Sequence, residues 1–580
     1  MSFRGFSASA LLFLLLLSPL PSYASDTAQR ATARLILGGR VADVHGKPIG
    51  NAHIKIRVNG EEFIAERAKA TREGFRSSGD GNFYIEIPVA DPAAAVEMDV
   101  ANIGFKAVER YPVAKFHPAG TGNDGVPQYV ASLKLSLERK AGAAFYISAS
   151  ILLLVYVAIA LDLLHRTLAA MMGAVAMLFI SYTAGSLYPE YFIISFASAV
   201  SKVDFNVVFL LLGMMIIVGV MKQTGVFEWL AFKSFHLSGG NVFRLAAILI
   251  VVTAILSAFL NSVTTMLLLV PVTIGLAVAL KINPVVFLMP EVLASNIGGT
   301  ATLVGDPPNM MIGSYAGLTW NDFMSNLTPV IAIILVVHVL MMCYLYREEY
   351  GAARVTDVES LEKKLRAECG IKDRRLLMFC LAILGGVIFL FFIHGKLGME
   401  PCIAALGGAV VLLVVSRENI VTHLEEDVEW PTLVFFIMLF IIIGACEETG
   451  LIQIAADMVL TLSQGNLLVG VALVLLVSAV ISAVVDNIPY TATLLPVVAY
   501  LSQNTPDIHG SGVLWWALSL GACLGGNATL VGASANVVTV GLSEKQGYPI
   551  SFVYFMKIGI PVTIMSVAVS AIWLYLVELR

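Results

Sequence analysis

The chain has 580 residues, 58% of them hydrophobic and 13% charged, against about 45–50% and about 25% in soluble domains, and its mean hydropathy is +0.83. That balance excludes a soluble globular protein, and a net charge of -5 gives nucleic-acid binding no electrostatic basis. The fold class expected is an all-α polytopic membrane protein preceded by a small all-β sandwich domain. The six cysteines show no CxxC spacing, so neither a zinc ribbon nor a redox pair is indicated, and no cofactor is expected.

In chain order, Arg4, the apolar run Leu11–Leu17 and a small-residue site ending at Ala24 read as a cleaved secretory signal over 1–24. Residues 25–140 differ in composition from the rest of the chain, because 16 of the 36 Lys and Arg residues fall in 26–140. Polar and apolar residues alternate over Ala52–Val58, Asn82–Ile87 and Val130–Leu137, with turn signals at Gly46–Pro48, Asn59–Gly60 and Gly79–Gly81. Period-two strands and such turns predict a small antiparallel sandwich. The run Gly39–Ile54 and the later Ser78–Ile87 resemble carboxypeptidase-regulatory-like domains, which implies an extracytoplasmic accessory role with an unknown ligand. His45, His53 and His117 are expected to be solvated.

After Lys140 the predicted spans are 145–164, 168–187, 206–222, 284–318 (interrupted), 327–346, 376–393, 398–416, 430–446, 512–542 (interrupted) and 552–577. Leu245–Leu280 carries no charge. As one helix it would run about 54 Å, too long for a hydrocarbon core of about 30 Å. It is expected to fold back at Asn261–Thr265. Met458–Pro506 holds a single charge, Asp486, and is expected to fold back at Asp486–Pro489. With the β-domain outside, inner connections carry 16 Lys and Arg residues and outer ones three, in agreement with the positive-inside rule. All six Trp fall near predicted span ends, as interfacial anchoring expects.

The membrane part repeats itself. Val203–Asn206 matches Val428–Pro431, Asn261–Ser262 falls on Asp486–Asn487 and Pro271 on Pro496, all at an offset of 225. Gly298–Gly305 with Asn309 matches Gly525–Gly532 with Asn536 at an offset of 227. The halves, 141–346 and 376–580, flank a charged cytoplasmic linker at 347–375, and they begin in opposite directions. An inverted repeat with paired Gly/Pro-interrupted segments points to a secondary transporter whose site lies where the interruptions meet. Broken backbone persists at membrane depth only where it is buried or lines a cavity. Helix N-termini there suit anions, while carbonyls and Asn or Thr side chains suit cations. Gly298, Gly299, Gly525 and Gly526 are expected to permit backbone conformations that other residues resist.

Ala294–Asn309, the tip Phe259–Leu268 and the tip Val485–Thr493 closely resemble the ion transporter superfamily, in the branch holding arsenite permeases, NhaD-type sodium/proton antiporters and pink-eyed-dilution proteins. The resemblance spans about 170–577. It implies two re-entrant hairpins, two broken helices, elevator-type alternating access and a homodimer. That branch commonly has Asp-Asn at the first tip, where this chain has Asn261-Ser262. Dicarboxylate carriers of the superfamily have Ser-Asn-Thr at both tips, and this chain has it at neither.

Asp486 is the leading candidate for proton or ion coupling, since a carboxylate at membrane depth is costly and is a functional residue by default. Asp306, before Pro307-Pro308, either caps the resuming half-helix or coordinates an ion. Glu291 is a second proton candidate, or a buried ion-pair partner. Asn261, Ser262, Thr264, Thr265, Asn296, Thr300, Asn309, Asn487, Thr491, Asn527, Thr529 and Asn536 complete the expected ion-binding site with the four glycines. Glu447 and Glu448 are expected at the interface, and His338 and His394 to be packed.

The expected function is an ion-coupled secondary transporter in the bacterial inner membrane, with a small ion such as sodium or a proton as cargo. It is read as sodium/proton antiport, or as proton- or sodium-coupled transport (symport) of an inorganic anion. Three acidic candidates and no Lys or Arg at membrane depth lean toward cation or proton handling. Sodium-coupled dicarboxylate or citrate transport is the alternative. An intramembrane aspartyl protease using Asp306 and Asp486 would need Gly at 303, where Leu303 stands, and a sensor lacks any output segment but 347–375.

Overall fold

The computed structural model describes residues 33–43, 48–49, 52–63, 75–78, 80–102, 105–113, 115–122, 125–137, 141–161, 163–352, 370–417, 420–463, 466–504 and 512–578. The signal segment 1–24, His45 and residues 353–369 of the charged linker lie outside the described residues. The chain divides into two compact units, Met1–Lys140 and Ala141–Arg580.

Among its described residues the first unit holds nine strands: β1 (Ala33–Asp43), β2 (His53–Val58), β3 (Glu61–Phe63), β4 (Phe75–Arg76), β5 (Asn82–Val89), β6 (Val96–Ala101), β7 (Val108–Pro112), β8 (His117–Thr121) and β9 (Pro127–Leu137). They form one sheet ordered β5-β1-β9-β8 and a second ordered β3-β2-β6-β7, with β4 on β2. Alternation does what period two requires: β5 buries Phe83, Ile85, Ile87 and Val89 and exposes the residues between. These pack with Leu35, Leu37, Ile54, Ile56, Met98 and Val100 in one core. One expectation is corrected. The unit is not wholly antiparallel, because β1 pairs with β9 in parallel, and β1 and β9 lie at opposite ends of the unit's sequence, where no hairpin constrains their direction. His53 and His117 are exposed.

The second unit is helical. Its main helices are α1 (Ala143–Ala160), α2 (Arg166–Tyr182), α3 (Phe205–Gln223), α4 (Val226–Ser238), α5 (Val242–Leu260), α6 (Ser262–Ala279), α7 (Val285–Gly299), α8 (Pro307–Ala316), α9 (Thr328–Leu345), α10 (Arg374–Leu397), α11 (Pro401–Ser416), α12 (Trp430–Glu448), α13 (Leu451–Ser463), α14 (Leu467–Ser482), α15 (Asn487–Asn504), α16 (Val513–Gly525), α17 (Ser534–Lys545) and α18 (Phe552–Trp573). Among the described residues nine helical segments are long and apolar enough to cross a membrane, and α7, α11, α14 and α16 are shorter apolar helices. Each predicted span has a helix or a broken helix. Both fold-back points are hairpin tips, α5–α6 at Asn261 and α14–α15 at Ala483–Asp486.

Packing sorts these helices into two bundles. In one, α3 packs on α11, α2 on α12 and α10 on α11. In the other, each hairpin packs on its broken helix, α5 on α7 and α14 on α16, with α9 and α18 alongside. Where bundles meet, α8 lies on α3 and α15 on α12. Trp320, Trp515 and Trp516 are buried rather than interfacial. Trp320 stacks on Phe391 at 5.3 Å between ring centres, so ring packing overrides the anchoring expected of a span end.

Candidate functional site

The two broken helices stop and resume in the same way. α7 ends at Gly299 and α8 resumes at Pro307, while α16 ends at Gly525 and α17 resumes at Ser534. The freed backbone is satisfied by side chains that correspond between repeats. Thr302 Oγ1 donates to Ala258 O and accepts from Gly305 N, and Thr529 Oγ1 does the same with Ala483 O and Gly532 N. Ser257 Oγ donates to Ser295 O, and its repeat partner Ser482 donates to Ala522 O. Asn309 Nδ2 closes the first break on Thr300 O and Thr302 O, and Asn536 Nδ2 closes the second on Gly526 O and Thr529 O. The accounting that lipid demands of interrupted helices is thus met internally.

The hairpin tips dock on these breaks. Ser262 N donates to Gly305 O at 3.0 Å, and Asn487 N donates to Gly532 O at 3.2 Å. Asn261 Oδ1 accepts from Val263 N and Asp486 Oδ1 from Ile488 N, each at 3.0 Å. Asn261 has φ 75° and ψ 141°, outside the left-handed helical well, so the first tip holds a strained backbone. The breaks touch one another through Asn296, whose Nδ2 reaches Asn527 Oδ1 at 2.8 Å and Asn536 Oδ1 at 2.9 Å. Cys523, the repeat partner of Asn296, points its thiol at Asn309 Oδ1, 3.7 Å away.

All the expected site residues except Thr264, which is half-buried, are buried at these tips, breaks and adjoining turns. Asn296 Oδ1, Thr265 Oγ1 and Thr491 Oγ1 are buried with no hydrogen-bond partner among the described residues. The glycine expectation is corrected. None of Gly298, Gly299, Gly525 and Gly526 has positive φ; they serve close approach. A Cβ on Gly298 would stand 2.5 Å from Ala254 Cα, and one on Gly525 would stand 2.6 Å from Ala479 Cα.

The acidic groups divide. Asp306 occupies the N-cap position of α8, but its side chain makes no capping bond. It accepts instead from Ser262 Oγ at 3.0 Å and from Asn487 Nδ2 at 3.1 Å, one donor from each hairpin tip. The capping expectation is therefore set aside. Glu291 takes only Thr273 Oγ1, at 3.0–3.1 Å, and has no basic partner among the described residues, so it is not an ion-pair member. Glu447 pairs with Lys202 at 2.9 Å. His338 is fully buried against Pro290 O, and His394 is buried between Trp320 N and Met399 O.

Asp486 has a partner that composition hid. Arg166, which the topology count assigns to an inner connection, is the first residue of α2, and its Nη1 lies 3.7 Å from Asp486 Oδ2. A residue that the sequence places in a connection thus bears on the site, because a long side chain at a helix end reaches beyond its own backbone. Ser534 also escaped notice. So did Thr302, although its repeat position, matching Thr529, was a readable signal.

The repeats share internal geometry but not register. Thr432 near the start of α12 holds Arg166 Nη2 at 3.1 Å, and Arg166 Nη1 bonds Ser534, the first residue of α17. The repeat-related residues are Val207 on α3 and Pro307 on α8. Val207 instead borders, with Met310 and Gly313, a cavity of about 280 Å³ that Asn206, His394 and Glu400 also line. α3 thus packs on α8 directly, whereas α12 is tied to the start of α17 through Arg166.

The profile of a family described as citrate transporter (CitMHS) matches residues 156–521. The chain is 43% identical over 431 residues to an uncharacterized transporter of Mycobacterium tuberculosis, covering 74% of this chain and 98% of that one. It is 31% identical to the human P protein over 97% of this chain and 74% of the relative, a share that is reached only with the N-terminal unit included. Among solved structures, the YdaH transporter of Alcanivorax borkumensis aligns over 70% of this chain and 97% of its own, at 15% identity and a TM-score of 0.48. The chain is a multi-pass membrane protein and belongs to the citrate transporter family.

Proposed function

We propose that the chain is a cation-coupled secondary transporter, in its most concrete form a sodium/proton exchanger, with the ion held where the hairpin tips and helix breaks converge. The observation that carries this reading is Asp306. It is 2% exposed, touched by both tips, and has no basic side chain in ion-pair range among the described residues. A carboxylate in such a place stays ionised only beside a cation, and otherwise takes up a proton. Sodium and protons meet that need; an anion does not.

The helix N-termini support the same choice. Pro307 and Pro308 open α8 without N–H groups. The first two amides of α6 and of α15 are already bound by protein oxygens. Little is left there to cradle an anion. The unequal contacts of the two halves across the bundle boundary support alternating access by sliding of the hairpin bundle along the other, because a repeated sequence whose halves make different contacts has an alternative in which those contacts are exchanged. In this reading the β-domain and C-terminus are extracytoplasmic, the linker 347–375 is cytoplasmic, the membrane is the bacterial inner one, and the protein is a homodimer.

Coupled citrate or dicarboxylate transport is the second reading, favoured by the family's description. Such a substrate would have to lie against Asp306 and Asp486. Flux in proteoliposomes decides between them, with sodium, protons, chloride, arsenite, citrate and dicarboxylates replaced in turn. Sodium-driven proton movement without any added anion is the expected result. Flux that needs an anion and ignores both sodium and pH gradients would sink the cation reading.

A further inference from the structure

Arg166 joins two parts of the molecule that belong to different bundles. On its own side, Nη2 donates to Thr432 Oγ1, and the guanidinium lies 5.5 Å from the centre of the Phe435 ring. Across the gap, Nη1 donates to Ser534 Oγ, which in turn donates to Asp486 Oδ2 at 2.8 Å. Arg166 itself stands 3.7 Å from that same oxygen. Asp486 is 5% exposed, so the pair is screened little by water.

The other repeat has none of these parts. Asp486 corresponds to Asn261, Ser534 to Pro307 and Thr432 to Val207. α11 packs on α3 as α2 packs on α12, and at its N-terminus stands Glu400, a carboxylate bonded to Asn206. The relay is therefore built once. It closes only in the register in which the second hairpin tip meets the start of α2. If the hairpin bundle slides, Asp486 and Ser534 travel together and leave Arg166 behind, because Arg166 is fastened to α12.

We propose that Arg166 is a displacing counter-charge: it competes with a bound sodium ion for Asp486, and does so only in the register described here. The inference rests on the reading of the site as a cation site. Away from the start of α2, Asp486 is open to sodium. On arrival there, the guanidinium takes the carboxylate and the ion leaves on that face. Two cations do not share one buried carboxylate oxygen without a large electrostatic cost. Arg166 is thus a positioning residue that sets where sodium is released.

The test uses purified full-length protein, with sodium replacing choline, and reads the sodium-dependent rise in Tm alongside exchange turnover in proteoliposomes. Binding to the folded state alone raises Tm by mass action. Arg166→Gln is expected to lower the half-saturating sodium concentration roughly tenfold, the scale of one partly buried ion pair, while turnover falls. Tighter binding with slower turnover is not what general damage produces. Arg166→Lys, which keeps the charge but not the fork, should fall between the parent and Arg166→Gln in both values. Asp486→Asn should lose the sodium response, and adding Arg166→Gln to it should change nothing. An unchanged or raised sodium midpoint in Arg166→Gln, with the response lost in Asp486→Asn, overturns the displacing role alone. A parent-like sodium response in Asp486→Asn overturns the displacing role and leaves the cation site to Asp306, whereas a parent indifferent to sodium overturns the cation site and the displacing role together.

Discussion

Asp306 and Asn487 are 181 residues apart in sequence and meet side chain to side chain at 3.1 Å. The contact ties the broken helix of one repeat to the hairpin tip of the other. Ser262 from the first tip completes it, so one carboxylate senses both tips. Asp306→Asn is nearly isosteric and should leave the protein folded while abolishing coupled transport. Asp306→Ala should in addition lower stability by about 1–3 kcal/mol, by stranding two buried donors. Size-exclusion profiles and Tm measure the fold, and proteoliposome flux measures the function. Parent-level coupled flux in Asp306→Asn would remove this residue from the mechanism.

Asp486→Asn keeps a side-chain oxygen to accept from Ile488 N and loses the charge facing Arg166. Coupled transport should disappear with the fold retained. Undiminished flux in purified, monodisperse Asp486→Asn protein would refute the assignment.

At the other tip, Asn261→Asp restores the acidic residue that the related branch commonly carries. Asp accepts the capping bond from Val263 N as Asn261 does, with the same side-chain shape on the same backbone. The variant should fold normally and change the number of cations moved per cycle or the pH profile of flux. If stoichiometry and pH profile both match the parent, the first tip does not take part in ion binding.

Gly298→Ala should be among the more destabilising single-methyl changes in the chain. Its Cβ would meet the backbone of Ala254, with Cα at 2.5 Å and the carbonyl carbon at 2.6 Å, forcing hairpin and broken helix apart at about 1–3 kcal/mol. Gly275→Ala, where nothing lies within 4 Å of the added carbon, is the control and should be neutral or mildly stabilising. Equal Tm values for both variants would show that the close crossing is dispensable.

The register difference also makes a prediction. If the hairpin bundle slides to a mirror-image register, Val207 comes near Pro307 as Thr432 and Ser534 now come together on either side of Arg166. Cysteines at 207 and 307, in a background with the six native cysteines replaced, should cross-link with mercury in an ion-dependent manner. A Thr432→Cys, Ser534→Cys pair should cross-link in the opposite set of conditions. Failure of the 207–307 pair under every ion condition, while the 432–534 pair reacts, would argue for a single fixed register.

Residue order alone determined the helical membrane class, the ten predicted spans, both fold-back points and the pairing of Gly298–Gly305 with Gly525–Gly532. These rest on hydropathy, length and repetition, which are written along the chain. Tertiary structure decided the rest. Asp306 looks like a helix cap in sequence and turns out to join both tips, because its partners come from two distant segments. Arg166 looks like a loop charge and turns out to face Asp486, because a side chain's direction depends on the helices packed around it. The glycines look like conformational hinges and turn out to be points of contact, since only the crossing helix shows what a Cβ would strike. Local physics sets which segments form; which charges meet is set by the bundle they assemble into, where low dielectric turns a few ångströms into the difference between a bare carboxylate and a paired one.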